Sequence, residues 1–156
     1  MKRHEALQPL SRQHHSGLLI ALLLNKGIKK NALLDVLSDF ICDCWTKELH
    51  DHFELEETVL LPAVNKKQFP ISLTEQLLEE HQQIRMLVKK AFDRSMAEND
   101  IITFASLLEK HIRFEEKVFF PKAESVLSAS SLNEIALLLK QSVIQSCINY
   151  PNKFWE

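Results

Sequence analysis

His52-Phe-Glu-Leu-Glu56-Glu57-Thr-Val-Leu-Leu-Pro62 and His111-Ile-Arg-Phe-Glu115-Glu116-Lys-Val-Phe-Phe-Pro121 are one pattern written twice in the same chain. A histidine and a glutamate at i and i+4 lie one turn apart on the same face of a helix, so both can reach one metal ion. Upstream of each copy stands a lone histidine followed three residues later by an aliphatic: His15-Ser-Gly-Leu18-Leu19 and His81-Gln-Gln-Ile84-Arg85. The chain thus reads as two halves, each supplying one lone histidine and one His-x-x-x-Glu pair.

The surroundings of these pairs predict helices throughout. Leucine is abundant and periodic, glycine occurs only at Gly17 and Gly27, and no long alternating apolar–polar run is present. The first helix is expected from Leu10 or Ser11 to Lys26, with Gly27 as its stop. Asn31 is expected to cap a second through Leu61, near Pro62. Ser72 or Thr74, just after Pro70, opens a third to Met96, and Asn99 or Asp100 caps a fourth through Phe120. Ser130 or Ser131 caps a shorter fifth to Ile148. The tail Tyr150-Pro-Asn-Lys-Phe-Trp-Glu is expected to be irregular, its aromatics resting on the bundle. No linker or low-complexity segment divides the chain, so residues 1–156 are read as one domain. Its bundle occupies about 10–125, and the fifth helix and tail about 130–156.

Each helix carries an apolar stripe at steps of three and four. His15, Leu18, Leu19 and Leu22 line up in the first, and Ile41, Trp45, Leu49, His52, Glu56 and Val59 or Leu60 in the second. Leu77, His81, Ile84 and Val88 follow in the third, and Phe104, Leu107 or Leu108, His111, Glu115 and Val118 in the fourth. Every repeated histidine and the first glutamate of each pair fall on a stripe. Glu57 and Glu116 fall off it, where they can orient a ligand imidazole. His50, His4 and the Lys66-Lys67 and Lys89-Lys90 pairs read as solvated surface.

Bulk composition excludes several function classes. With 46% apolar and 26% charged residues and a net charge of −2, neither nucleic acid nor a membrane surface is an expected partner. No apolar run approaches the roughly 20 residues that span a bilayer, and no secretory signal is visible. Cys42, Cys44 and Cys147 make no even disulfide framework and read as small apolar side chains in a reducing cytoplasm.

Four imidazoles and two carboxylates inside one bundle demand compensation, because a buried carboxylate without a partner neutralises instead of staying charged. A metal supplies it. The donors are nitrogen and oxygen without thiolate, which disfavours cuprous ion and iron–sulfur clusters, and a structural zinc would want about four ligands. Two six-coordinate ions fit better: four imidazoles take one site each, two bridging carboxylates take two each, and a bridging solvent oxygen completes most of the rest. Iron fits, with manganese as the lesser choice.

The elements Ser11-Arg-Gln-His14-His15-Ser-Gly-Leu, His52-Phe-x-x-Glu56-Glu57, Glu80-His81-x-x-Ile84-Arg85 and His111-x-x-x-Glu115-Glu116 with its trailing Phe-Pro resemble the hemerythrin-like family, also called the HHE cation-binding family. The resemblance covers about residues 11–121. It implies an all-α, up-down four-helix bundle, here with an additional C-terminal helix, holding a non-haem di-iron centre. Members bind oxygen, sense oxygen or redox state, or handle nitric oxide and iron. Residue by residue it implies His15, His52, His81 and His111 as terminal ligands, with His14 as the alternative to His15, and Glu56 and Glu115 as bridging carboxylates. Ferritin-like di-iron proteins use Glu-x-x-His instead. Oxygen-carrying members have a further histidine one turn before the one matching His81. Here that position is Leu77, which opens one iron further and resembles members linked to nitric oxide stress and iron–sulfur repair.

These readings converge on a cytoplasmic di-iron protein that binds oxygen, nitric oxide or peroxide for sensing, storage or stress response. Leu77, Ile84, Phe114 and Phe119 are expected to keep its pocket dry. The alternatives are an enzyme consuming peroxide or nitric oxide, and an iron donor for repair of iron–sulfur centres.

Overall fold

The computed structural model describes residues 2–141 and 150–156. Among these residues there is no strand, and the helices form an all-α bundle. After a short 3-10 turn at Glu5–Leu7, helix α1 runs Gln8–Lys29. Helix α2 spans 34–65, beginning as Leu34–Cys44 and interrupted by two wide π turns, Trp45–Leu49 and Glu56–Leu60. Helix α3 is Ile71–Phe92. Helix α4 spans 98–126, with one π turn at Glu115–Phe119, and α5 is Ala129–Lys140. Short connections reverse the chain between successive long helices, so α1 packs along α4, α2 against α3 and α3 against α4.

Helix ends depart from expectation for identifiable reasons. Gly27 does not stop α1; it sits inside it, where a Cβ would come within 2.7 Å of both Leu37 Cδ2 and Phe154 Cδ1. The stop is Asn31, whose φ of 56° turns the chain left-handed while Ala32 N–H donates to the Gly27 carbonyl at 3.0 Å. Asn31 therefore ends α1 and does not cap α2. Arg94, at φ 57°, does the same for α3, which ends at Phe92 and not at Met96. Asp100 lies in the first turn of α4 and accepts from Ala97 N–H at 2.8 Å, and Ser128, not Ser130 or Ser131, caps α5. The expected end of the fifth helix at Ile148, and Cys147, lie outside the described residues. Pro62 and Pro121 do not end helices. Each follows a π turn, in the first turn of the α-helix that resumes after it.

The core divides into two apolar layers. One gathers Leu24, Leu37, Phe40, Phe53, Ile84, Phe104, Leu108 and Ile112. Tyr150, Phe154 and Trp155 of the tail close over Phe40 with ring centroids 5.0–6.0 Å away, as the sequence predicts. The other gathers Leu7, Leu10, Leu60, Leu77, Phe114, Phe119 and Phe120 and is covered by α5. Along the long helices the buried residues His14, His52, Glu56, His81, His111 and Glu115 fall between members of these two layers.

Candidate metal centre

All four long helices contribute to the polar layer. His14 from α1, His52 and Glu56 from α2, His81 from α3, and His111 and Glu115 from α4 are each at most 5% exposed. Their ligand atoms form two groups, His14–His52–Glu56–Glu115 and Glu56–His81–His111–Glu115, each with all donors within 4.8 Å of one another. The groups share both carboxylates. Glu56 Oε2 faces His52 Nε2 at 3.3 Å while its Oε1 faces His81 Nε2 at 3.1 Å. Glu115 Oε1 lies 3.3 Å from His14 Nε2 and 2.9 Å from His111 Nε2.

Local helix geometry aims these side chains. Glu48, His52, Glu56, Leu60 and Val64 are all buried at steps of four, as are His111, Glu115, Phe119, Ala123 and Leu127. An α-helix drifts about 40° with each such step, so four steps would carry the stripe well off the core. The wide turns beginning at Trp45, Glu56 and Glu115 take up the drift. Hence Leu60 and Phe119 are buried, while Val118, expected on the stripe, is 45% exposed.

The imidazoles point Nε2 inward and Nδ1 outward, where other side chains hold them. His81 Nδ1 meets Glu57 Oε2 at 2.6 Å, and Glu57 in turn accepts from Arg85 at 2.8 Å. His111 Nδ1 meets Glu80 Oε1 at 2.8 Å, with Gln76 donating to Glu80 at 3.1 Å. His52 Nδ1 meets Gln13 Oε1 at 2.5 Å. His14 Nδ1 is 3.7 Å from Glu116 Oε2. Phe53 stacks on the His81 ring at 3.8 Å, and Phe120 lies parallel to His14 at 5.4 Å.

The inner face is left with too many acceptors. His14 and His52 bring their Nε2 atoms to 3.2 Å, and His81 and His111 to 3.1 Å. With Nδ1–H donating outward, those Nε2 atoms offer lone pairs to one another. Glu56 Oε2 and both Glu115 oxygens are buried without a hydrogen-bond donor. Cations between the pairs resolve the conflict, so the donor set fits two metal ions.

Protons do the same work in metal-free protein. Burial, and then the charge of Glu115, pushes the Glu56 carboxyl well above its usual range. Burial opposes ionisation of Glu115 as well, but the His111 charge and the close approach of Glu56, His111 and His14 hold it well below. Burial would lower His111, yet Glu115 and Glu80 outweigh it and raise its pKa to about 9. His14 is likewise raised against its burial by Glu115 and Glu116, whereas burial and the neighbouring His14 charge drive His52 well down. The balance in metal-free protein therefore favours protons on His14, His111 and Glu56 and negative charge on Glu115.

Of the residues expected from sequence, the structure brings together His52, Glu56, His81, His111 and Glu115, and it does not bring in His15. The His15 side chain is exposed, and the alternative, His14, occupies the layer. The buried seam of α1 is Leu10, His14, Gly17, Ala21 and Leu24, while Leu22, expected on the stripe, is half exposed. The small residues of that seam let α4 approach; a Cβ at Gly17 would come 2.6 Å from Ile112 Cδ1. Gln13 and Glu80 were not expected as imidazole partners; each immediately precedes a buried histidine, which was the available signal. His50 is exposed, and His4 is spent capping the 3-10 turn by accepting from Ala6 N–H. Leu77, Ile84, Phe114 and Phe119 are all buried above or below the layer.

Among the described residues no helix is long and apolar enough to cross a membrane. Comparison with curated proteins and with solved structures finds no significant match. The family profile of the hemerythrin HHE cation binding domain matches residues 4–123, which takes in all four long helices. With buried His/Glu clusters fit to hold metal inside that match, the chain belongs to the hemerythrin HHE cation-binding domain family.

Proposed function

We propose that this chain is a cytoplasmic non-haem di-iron protein that takes up a small ligand, oxygen, nitric oxide or peroxide, for sensing, storage or stress response. One observation supports the reading: two four-donor groups share Glu56 and Glu115, as two ions side by side under bridging carboxylates would require. His14, His52, His81 and His111 are the terminal donors in this assignment. Nitrogen and oxygen donors without thiolate favour iron, with manganese the lesser candidate.

Bound there, the iron pair would supply redox-active, Lewis-acidic positions for the ligand. The protein supplies the setting. Glu57, Glu80 and Gln13 fix the imidazoles by their Nδ1 atoms. The apolar layers keep bulk water off both ends of the site. A cavity of about 10 Å³, lined by His14, His52, His111, Phe53, Leu108 and Ile112 among others, reaches the centre. That is room for one water-sized molecule. Leu77 is buried in the apolar layer and donates nothing, and among the described residues the two donor groups comprise six ligand side chains. Unfilled coordination positions also accommodate a second reading, an enzyme consuming peroxide or nitric oxide; steady turnover with a reductant would distinguish it from stoichiometric uptake.

The test is metal content and absorption of protein purified without added metal. About two irons per chain, with near-ultraviolet bands lost in Glu56→Ala and Glu115→Ala, is the expected result. One zinc per chain, or no metal after iron-replete expression, would overturn the proposal.

A further inference from the structure

The two metal positions have the same inner donors and different outer ones. At the His81/His111 position each imidazole donates from Nδ1–H to a carboxylate, Glu57 at 2.6 Å and Glu80 at 2.8 Å. Both carboxylates are themselves held, by Arg85 and by Gln76. At the His14/His52 position the Nδ1 partner of His52 is the neutral amide of Gln13. His14 Nδ1 has no hydrogen-bond partner, because Glu116 stands off at 3.7 Å. Glu116 is engaged elsewhere: Ser11 Oγ donates to it at 2.9 Å and the Arg3 guanidinium lies 3.5 Å away.

A carboxylate on the far nitrogen makes an imidazole a stronger donor and fixes its tautomer, and losing such a partner typically costs 10–100-fold in metal affinity. From this we infer that the two positions are inequivalent: the His81/His111 position holds its ion tightly, and the His14/His52 position is the exchangeable one, filled last and emptied first. The inference rests on the dinuclear reading above. The cavity agrees with it. Both imidazoles of the exchangeable position and Gln13 line that space, with His111 the single imidazole from the other position. The His14/His52 position therefore borders open space, and His81 is not among the residues lining it.

The experiment is anaerobic loading with ferrous iron, followed by release into an excess of a chromogenic chelator. Wild-type protein should release about one iron per chain in a fast phase and about one in a phase slower by ~10-fold or more. Gln13→Glu, which puts a carboxylate on His52 Nδ1, should slow the fast phase about 10-fold and leave the slow one. Glu80→Gln should accelerate the slow phase and leave the fast one. His52→Ala should keep mainly the slowly released iron, and His81→Ala mainly the fast. Single-phase release from protein holding two irons, or a fast phase indifferent to Gln13→Glu while Glu80→Gln also changes nothing, overturns the inference and spares the dinuclear reading. Saturation below two irons per chain overturns that reading and the inference with it.

Discussion

Glu56→Gln and Glu115→Gln are the same chemical change at matched positions of the repeat, and the structure predicts opposite results in metal-free protein. Glu56 has no exposed surface, and burial together with Glu115 pushes its carboxyl well above the usual range, toward the neutral acid. A glutamine amide is a near-isosteric stand-in for that neutral acid, so stability should change by no more than about 1 kcal/mol. Glu115 is equally buried but ionised, with the protonated His111 2.9 Å away. Removing its charge strands a buried imidazolium, at a cost of about 3–5 kcal/mol. For a chain of this length that lowers Tm by roughly 10 °C. The iron-induced rise in Tm, by contrast, should shrink equally in the two variants, because each glutamate belongs to both donor groups. Loss of a direct ligand costs at least the ~100-fold known for the strongest outer partners. That is about 3 kcal/mol for each ion, so roughly 10–20 °C of the iron-induced rise in Tm should disappear in either variant. Differential scanning calorimetry of chelated and iron-loaded protein at pH 7 measures all of this. Equal Tm values for the two chelated variants would refute the protonation assignment. An undiminished iron-induced rise in either would refute the shared-ligand geometry.

Other outcomes follow from the same features. His111 has its pKa raised to about 9 in the folded metal-free protein, against about 6.5 unfolded. Its contribution, about 3 kcal/mol, is fully present below pH 6.5 and is lost as pH rises through 9. Proton NMR of chelated protein should show one imidazole titrating near pH 9, absent in His111→Gln. Iron binding at pH 7 should release the proton on His111, whose pKa is raised to about 9, which calorimetry in two buffers of different ionisation enthalpy detects as a buffer-dependent heat. Phe53→Ala removes a buried ring stacked on His81 and should cost about 3–5 kcal/mol in urea unfolding. Gly27→Ala gains up to about 1 kcal/mol of helix propensity but forces Leu37 and the Phe154 ring apart. The net should be destabilising, with a red shift of Trp155 emission as the tail lifts; unshifted emission with a higher Tm would show that the tail yields freely.

The sequence carries most of this site because its chemistry is duplicated. Paired His-x-x-x-Glu motifs survive errors of a residue or two in helix boundaries, since the i, i+4 relation is internal to a turn. The lone histidine of α1 has no such internal reference. It precedes Leu18-Leu19-Ile20-Ala21-Leu22-Leu23-Leu24, a continuous apolar run without phase contrast, and the choice between His14 and His15 turned on phase. The deciding marks were small residues, Gly17 and Ala21, which read as weak hydrophobes but in fact line the close contact with α4. Val118 falls off the stripe for a related reason: a period of 3.6 does not hold across Glu115–Phe119, where the helix is wound wider. The place of Gln13 and Glu80 beside a histidine marks them only indirectly as outer partners, because they act across helices, on His52 and His111, and not on their sequence neighbours.

The wide turns also set a condition on transplanting this centre. An engineer who copied the His-x-x-x-Glu pairs onto ideal helices would orient each pair and then lose the protein beyond it. Without the extra residue taken up at Glu56–Leu60 and Glu115–Phe119, everything downstream would be rotated by about 100°. Leu60 and Val64, or Phe119 and Ala123, would then swing toward solvent instead of sealing the layer below the ligands. The portable unit is therefore the ligand pair together with the five-residue segment that begins at its glutamate.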